Sequence, residues 1–449
     1  MGKLFGTDGI RGKANRHPMD AAIAFAVGQA VTHLFKKSGH RARVIIGKDT
    51  RISGYMLESS LEAGITSMGG DPYLVGVLPT PGISFITESM RADAGIVISA
   101  SHNAYHDNGI KIFSGTGYKL SDEQEDEIER LILSGKLPEM APEAKDMGRA
   151  RRIEDARGRY IVFLKNTFSR ELTMEGLKIV LDVSNGATYK AAPEAFTELG
   201  AQVEVIHDKP NGLNINENCG SQHTHQLQER VVESHAHVGL AFDGDGDRLI
   251  AVDEKGHALT GDQTLVICAN VLKRENKLSN DLVVCTVMSN LGLRFAAKKH
   301  GFKLHTSKVG DRYVLEDMLR LGGVIGGEDS GHTIFLQHHK TGDGIISAMQ
   351  LIAAMIKEAR PMSELAAQMD VFPQELINVP VTHKPEIATR PKIVAAIKQA
   401  EAELGDTGRV LVRYSGTENK CRVMVEGPTH EVTKKYCAQI AAVVKAELG

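Results

Sequence analysis

Lys178–Ile206 reads KIVLDVSNGATYKAAPEAFTELGAQVEVI. A short apolar run passes into a polar turn at Ser184-Asn185-Gly186. An amphipathic stretch through Ala192 and Phe196 follows, stops at Gly200, and gives way to a second apolar run. Strand, turn, helix, glycine at the helix end, strand is the pattern of a βαβ unit. The theme occurs twice more. RVIIGKDTR from Arg43 leads to a helix through Leu57 and Ile65, ending at Gly69-Gly70, and then to PYLVGV. DLVVCTVMSN from Asp281 leads to a helix through Leu293 and Ala297, ending at Gly301, and then to FKLHT. Three such units imply three similar α/β domains, each with a largely buried mixed sheet.

At 449 residues the chain is too long for one hydrophobic core. Residues 136–157 are charged, poor in large apolar side chains and carry two prolines, which reads as an exposed helix and linker. Further boundaries fall near Lys255-Gly256 and near Asp370–Gln374. The expected domains are therefore 1–150, 151–255, 256–370 and 371–449. The last has strands around Ile377–Val381, Arg409–Val412 and Cys421–Glu426 and two helices, a smaller α+β domain.

Lys plus Arg is 53 and Asp plus Glu is 56, a net charge of −3, which argues against bulk binding to nucleic acid or an anionic membrane. Five cysteines without CxxC spacing speak against a disulfide framework or a zinc site and favour a reducing cytosol. The N-terminal MGKLFGTDGIRG lacks a signal core. The apolar stretch Ile345–Ile356 is too short to span a bilayer. These features place the chain in the cytoplasm.

The sharpest chemical feature is Asp243-Gly244-Asp245-Gly246-Asp247-Arg248. Glycines let the chain curl so that carboxylates converge, and convergent hard oxygens suit Mg²⁺ or Ca²⁺. An EF-hand would want glycine where Arg248 stands and helices where VGLAF and LIAV read as strands. Ile98-Ser99-Ala100-Ser101-His102-Asn103 follows the apolar run AGIVI, where α/β sheets place ligands. Ser101 there is a turn former or a nucleophile, with His102, Asn103 and Lys111 as polar neighbours. Glu328-Asp329-Ser330-Gly331-His332 presents groups that can bond sugar hydroxyls, or a capping turn. Arg413-Tyr414-Ser415-Gly416-Thr417-Glu418 can cradle a phosphate, or be a polar hairpin. Phe5–Gly12 is a glycine-rich loop with one cation, Arg11, and fits neither the Walker nor the dinucleotide spacing.

In this order, FGTDGIRG, ISASHN, DGDGDR, GEDSGH and RYSGTE resemble the signatures of the α-D-phosphohexomutase superfamily, and the resemblance runs end to end. TVMSNLGL, KVGDRYV and CGSQH make it most similar to the phosphoglucosamine mutases within it. The resemblance implies four domains around a central cleft, three α/β and one smaller α+β. It implies Ser101 as the phosphoserine, with Asp243, Asp245, Asp247 and the Ser101 phosphate holding one Mg²⁺ per subunit. Glu328 and Ser330 would read sugar hydroxyls, and Arg413, Ser415, Gly416 and Thr417 would grip the idle phosphate. Arg11, His102, Lys111, Arg248 and His332 would line the reacting centre, with His332 and Lys111 as candidates for moving protons.

The implied reaction converts D-glucosamine 6-phosphate to the 1-phosphate through a sugar 1,6-bisphosphate, feeding UDP-N-acetylglucosamine and cell-wall precursors. The resemblance leaves room for a homodimer and for an activating kinase. Ala104 stands where proline is usual, Ser184 where cysteine or alanine is, and Asn419 where proline is common. Phosphomannomutase or phosphoglucomutase activity, a metal-dependent serine phosphatase and a non-enzymatic calcium or sugar binder stay open as alternatives.

Overall fold

The computed structural model describes residues 4–6, 8–36, 40–415 and 419–449. The chain divides into two compact units: residues 1–287 with 303–367, and residues 288–302 with 368–449.

The first unit holds three sheets. Strands β1 (Phe5–Gly6), β2 (Gly9–Lys13), β3 (Arg43–Lys48), β4 (Asp71–Val77), β5 (Ala94–Ile98), β6 (Asp107–Ser114) and β7 (Arg151–Arg152) form a sheet of order β1-β2-β6-β5-β3-β4-β7. Strands β8 (Lys178–Asp182), β9 (Gln202–Ile206), β10 (Val238–Phe242) and β11 (Leu249–Asp253) run β11-β10-β8-β9. Strands β12 (Leu282–Thr286), β13 (Lys303–Ser307), β14 (Ile325–Gly327) and β15 (Thr333–Phe335) run β15-β14-β12-β13.

Beneath these orders lies one repeated motif. Three parallel strands, β4/β3/β5, β9/β8/β10 and β13/β12/β14, are each closed by an antiparallel strand, β6, β11 or β15, returning from the third. The shared topology is what the three βαβ patterns implied. The inner parallel strands are buried apolar runs, with Val44, Ile46, Ile96, Val180, Leu181 and Val284 all completely buried, while the outer β9 and β13 stay partly exposed.

Residues 136–157 differ from the expected exposed helix. They form two short 3₁₀ turns, Leu137–Met140 and Ala144–Asp146, and then β7, which pairs with β4 and carries the first sheet past residue 150. Pro138 and Pro142 deny the backbone donors that a continuous helix needs, and Leu137 is the only buried side chain of the two turns.

In the second unit, strands β16 (Gln374–Pro380), β17 (Arg409–Tyr414) and β18 (Lys420–Glu426) form an antiparallel sheet of order β16-β18-β17. Helices Pro391–Leu404 and His430–Leu448 share a core with it that includes Ile393, Leu404, Val423, Val425, Ile440 and Val444. The helix Leu291–His300, read as the middle of the third βαβ unit, belongs to this unit. Its first amide, Leu291 N, donates to the buried Glu426 carboxylate at 3.0 Å. Among the described residues no helix is long and apolar enough to cross a membrane, and all five cysteines are buried.

Candidate active site

Each repeat returns from its third parallel strand through one hairpin, and the three hairpins carry the three acidic or hydroxylic motifs. β5–β6 carries Ser101, β10–β11 carries Asp243–Arg248, and β14–β15 carries Glu328–His332. Ligands collect at the carboxyl ends of parallel strands because helix and strand termini leave loops free there.

The hairpins meet side chain to side chain. Ser101 is 2% exposed, and its Oγ donates to Asp243 Oδ2 at 2.6 Å and lies 3.3 Å from His102 Nδ1. Its backbone is left-handed, φ +52°, a conformation that costs a residue with a Cβ roughly 1–2 kcal/mol. Lys111, on β6, reaches Asp245 at 3.1 Å, Asp8 at 3.3 Å and Asp247 at 3.9 Å. His332 lies 3.6 Å from Asp247 and 3.7 Å from Asp311. Arg248 Nε is 3.8 Å from Asp247 Oδ1.

Asp243, Asp245 and Asp247 offer ligand oxygens that lie within 4.8 Å of one another, and all three residues are buried. Three anions so close repel strongly; two like unit charges 4 Å apart repel by about 4 kcal/mol at an effective dielectric of 20. Asp243 shows the result: burial, then Asp247 and Asp245, push its carboxyl well above the usual range. The Asp245 Oδ1 and Asp247 Oδ1 atoms are buried with no hydrogen-bond partner among the described residues. Orphaned hard oxygens beside a serine hydroxyl fit a divalent cation such as Mg²⁺.

Electrostatics sort the cationic groups. Burial works against Lys111, yet Asp245, Asp8 and Asp247 push it up to about 12, so its ammonium is charged. Burial also works against His332, and Asp247, with Asp311 and Glu328, raises it nonetheless. His102 moves the other way: burial, then Arg248 and Arg11, push it down to about 4. Arg11 pairs with Asp8, and its Nε is buried without a hydrogen-bond partner among the described residues.

The hydroxyl-reading candidates are partly exposed on the third hairpin; Glu328 Oε1 accepts from Gly310 N at 3.0 Å. Arg413 and Ser415 lie in the second unit, on β17 and just beyond it, and Gly416, Thr417 and Glu418 fall outside the described residues. Arg413 stands directly opposite Arg422 on β18. Both Nε atoms are buried without a partner among the described residues, and burial, then Arg422, lowers the Arg413 pKa. Lys384 Nζ donates to the Ser415 carbonyl at 2.9 Å. Two facing guanidiniums with no carboxylate paired to them among the described residues suit a phosphate dianion.

Several residues of the site escaped the sequence reading. Thr80 opens a helix whose first amide donates to the Asp245 carbonyl at 2.8 Å, and its Oγ1 donates to Asp245 Oδ2 at 2.7 Å. Lys119 bridges Asp8 at 2.5 Å and Asp311 at 2.7 Å. Asp8 and Asp311 sat inside quoted motifs, FGTDGIRG and KVGDRYV, while nothing local marked Lys119, Thr80 or Arg422.

Comparison with known proteins closes the question of kinship. Models of the phosphoglucomutase/phosphomannomutase family match all along the chain: alpha/beta/alpha domain I over residues 2–139, domain II over 158–256, domain III over 260–372 and the C-terminal domain over 376–443. The phosphoglucosamine mutase of Syntrophobacter fumaroxidans is 70% identical over 449 residues, and that of Syntrophus aciditrophicus 63%, each covering 100% of both chains. The chain belongs to the phosphoglucosamine mutase family. Phosphoglucosamine mutases are phosphohexomutases, isomerases of the intramolecular phosphotransferase kind. The fold recurs in a phosphoglucomutase/phosphomannomutase family protein of Burkholderia thailandensis, with TM-score 0.80 at 22% identity over 99% of this chain and 97% of that one. It recurs also in the N-acetylphosphoglucosamine mutase of Aspergillus fumigatus, solved with GlcNAc-6P and magnesium, with TM-score 0.71 at 16% identity over 99% and 95%.

Proposed function

We propose that this phosphohexomutase interconverts D-glucosamine 6-phosphate and D-glucosamine 1-phosphate in the cytoplasm, with Ser101 as the phosphoryl carrier and a sugar 1,6-bisphosphate as intermediate and activator. The observation that carries the reading is the Ser101 Oγ–Asp243 bond at 2.6 Å inside a cluster of buried acids with orphaned oxygens. Substrate choice rests on the relatives named phosphoglucosamine mutase, and the compartment on an odd number of cysteines without CxxC spacing.

In the forward half-reaction the bond from phosphorus to Ser101 Oγ breaks as one to the sugar O1 forms. The sugar hydroxyl loses its proton and the serine oxygen gains one. The bisphosphate turns, and its 6-phosphoryl group returns to Ser101 with the proton movements reversed. Such transfers need in-line placement and charge neutralisation more than covalent help. Asp243, Asp245, Asp247 and the Ser101 phosphate would hold Mg²⁺, which as a Lewis acid draws charge from the phosphoryl oxygens. Lys111, set among Asp8, Asp245 and Asp247, would neutralise the same oxygens. His332, held between Asp247 and Asp311, and Lys111 are the candidates for the proton movement. Glu328 and Ser330 read sugar hydroxyls, and Arg413, joined by Arg422, takes the idle phosphate together with Ser415.

The test is a coupled assay for glucosamine 1-phosphate with Mg²⁺ and a trace of the 1,6-bisphosphate, run beside glucose and mannose phosphates. Turnover of the amino sugar that stops with a chelator and in a folded Ser101→Ala variant is expected. Turnover of the glucose or mannose phosphate alone would overturn the substrate. Mutase activity surviving in Ser101→Ala would overturn the phosphoserine.

A further inference from the structure

The left-handed backbone at Ser101 does not persist by itself, and its support comes from two residues with no place in the chemistry described so far. The Ser101 carbonyl accepts from Arg51 Nη2 at 3.2 Å and from Asn216 Nδ2 at 2.9 Å. The Asn103 carbonyl accepts from the same two groups, from Asn216 at 2.9 Å. Two donors thus clasp the two carbonyls that flank His102. Ser99 Oγ completes the turn by accepting the Ser101 amide at 3.0 Å.

Each donor is itself held. Arg51 is completely buried and paired with Asp49, whose Oδ1 also accepts the Arg51 amide at 2.9 Å. The Asp49 amide donates to the Ile98 carbonyl, at the end of β5, at 3.1 Å. Asn216 comes from the second sheet's side of the unit, on the segment between β9 and β10, and its amide donates to the Ser184 carbonyl at 3.0 Å. The Arg51 segment is joined to the same region: Thr50 Oγ1 donates to the Asn185 carbonyl and the Ile52 amide to the Gly212 carbonyl. The acidic loop makes room for the clasp. A Cβ at Gly244 would lie 2.6 Å from the Ser101 carbonyl oxygen and 2.7 Å from Asn216 Nδ2.

We propose that Arg51 and Asn216 are positioning residues for the phosphoryl carrier, locking Ser101 with its Oγ directed at Asp243 in both half-reactions. The proposal rests on the reading of Ser101 as that carrier. Neither residue touches the reacting atoms; they act through the main chain of the serine loop. The requirement is strict because one oxygen must serve as leaving group and then as nucleophile on the same line, and a misplacement near 1 Å can cost about a hundredfold. Coming from two sheets, the clasp also ties the serine hairpin to the loops of the second sheet, the sheet whose β10–β11 hairpin carries the acids.

The test centres on Asn216. Its own φ is +57°, so Asn216→Gly removes the donor without straining the backbone. Asn216→Asp keeps the shape and tolerates the conformation but cannot donate when ionised. Arg51→Lys keeps a charge beside Asp49 while losing the fork. With each variant assayed well below its melting temperature, we expect kcat to fall roughly tenfold to a hundredfold. KM for glucosamine 6-phosphate and the Mg²⁺ activation constant should stay unchanged, and Arg51→Lys should lie between Asn216→Gly and wild type. In a single turnover, phosphoryl transfer from the 1,6-bisphosphate to Ser101, read by intact-protein mass, should slow by the same factor. Wild-type kcat in folded Asn216→Gly and Asn216→Asp, or a change confined to melting temperature or KM, overturns the proposal. Absence of Ser101 phosphate in wild-type enzyme that turns over would instead overturn the carrier assignment beneath it.

Discussion

Asp243 is a residue whose burial is costly to the fold and whose oxygens suit a cation. Its carboxyl is buried against two other acids and pushed well up. Asp243→Asn keeps the shape, so the Gly246 and Arg248 amides retain an acceptor, and it removes one of three crowded charges. We expect the variant to melt at or above the wild-type temperature without magnesium and to lose the rise that magnesium gives wild type. Differential scanning calorimetry with and without Mg²⁺ decides this; a retained magnesium-dependent rise would count against the acidic cluster as the cation site. The cluster was legible because acids alternate with glycines within six consecutive residues. Arg51 and Asn216 were not, since Arg51 meets Ser101 across 50 residues and Asn216 across 115. No local spacing encodes such a meeting.

In the β17–β18 hairpin, Arg413 faces Arg422 across the ladder. Like charges directly opposite on a sheet destabilise it by a few tenths to about 1 kcal/mol. Arg422→Gln is therefore expected to raise the melting temperature slightly while raising KM for the sugar phosphate several-fold, measured by initial rates. An unchanged KM would remove Arg422 from the phosphate site. Only Arg413 stood out in the sequence, because its neighbours Ser415 and Gly416 form a recognisable loop; Arg422 acquires its meaning from strand register. Elements with strong periodicity, such as the helices ending before Gly200 and at Gly301, are helices over the stretches their patterns marked, though the second of them packs in the other unit. The stretch 136–157 lacked an apolar stripe, and its prolines outweighed its charged, helix-compatible composition.

Across the first unit, Tyr160, on the helix Ala156–Asn166, donates to Asp343 Oδ2 at 2.7 Å, and Asp343 caps the helix Gly344–Glu358 through the Ile345 and Ile346 amides. Burial pushes the Asp343 carboxyl up to about 7, against the pull of Tyr160 and the helix amides. The folded protein thus holds this proton more tightly than the unfolded chain, whose carboxyl titrates at about 4. The stability this gives is full below pH about 4 and is lost as pH rises through about 7. Urea unfolding across that range should show wild type losing stability with rising pH and Asp343→Asn losing less; parallel curves would show that Asp343 ionises as freely folded as unfolded. The threefold sheet motif was visible as three βαβ patterns, whereas the equivalence of the three hairpins emerges only from strand order. Because those hairpins occupy one topological post, inactivating alleles from a random library would include three narrow clusters, each just past a third parallel strand. Between Asp243 and Asp247 the two residues that lack side chains would be struck as often as the acids: even a methyl group at position 246 would sit 2.5 Å from Thr188 Cγ2.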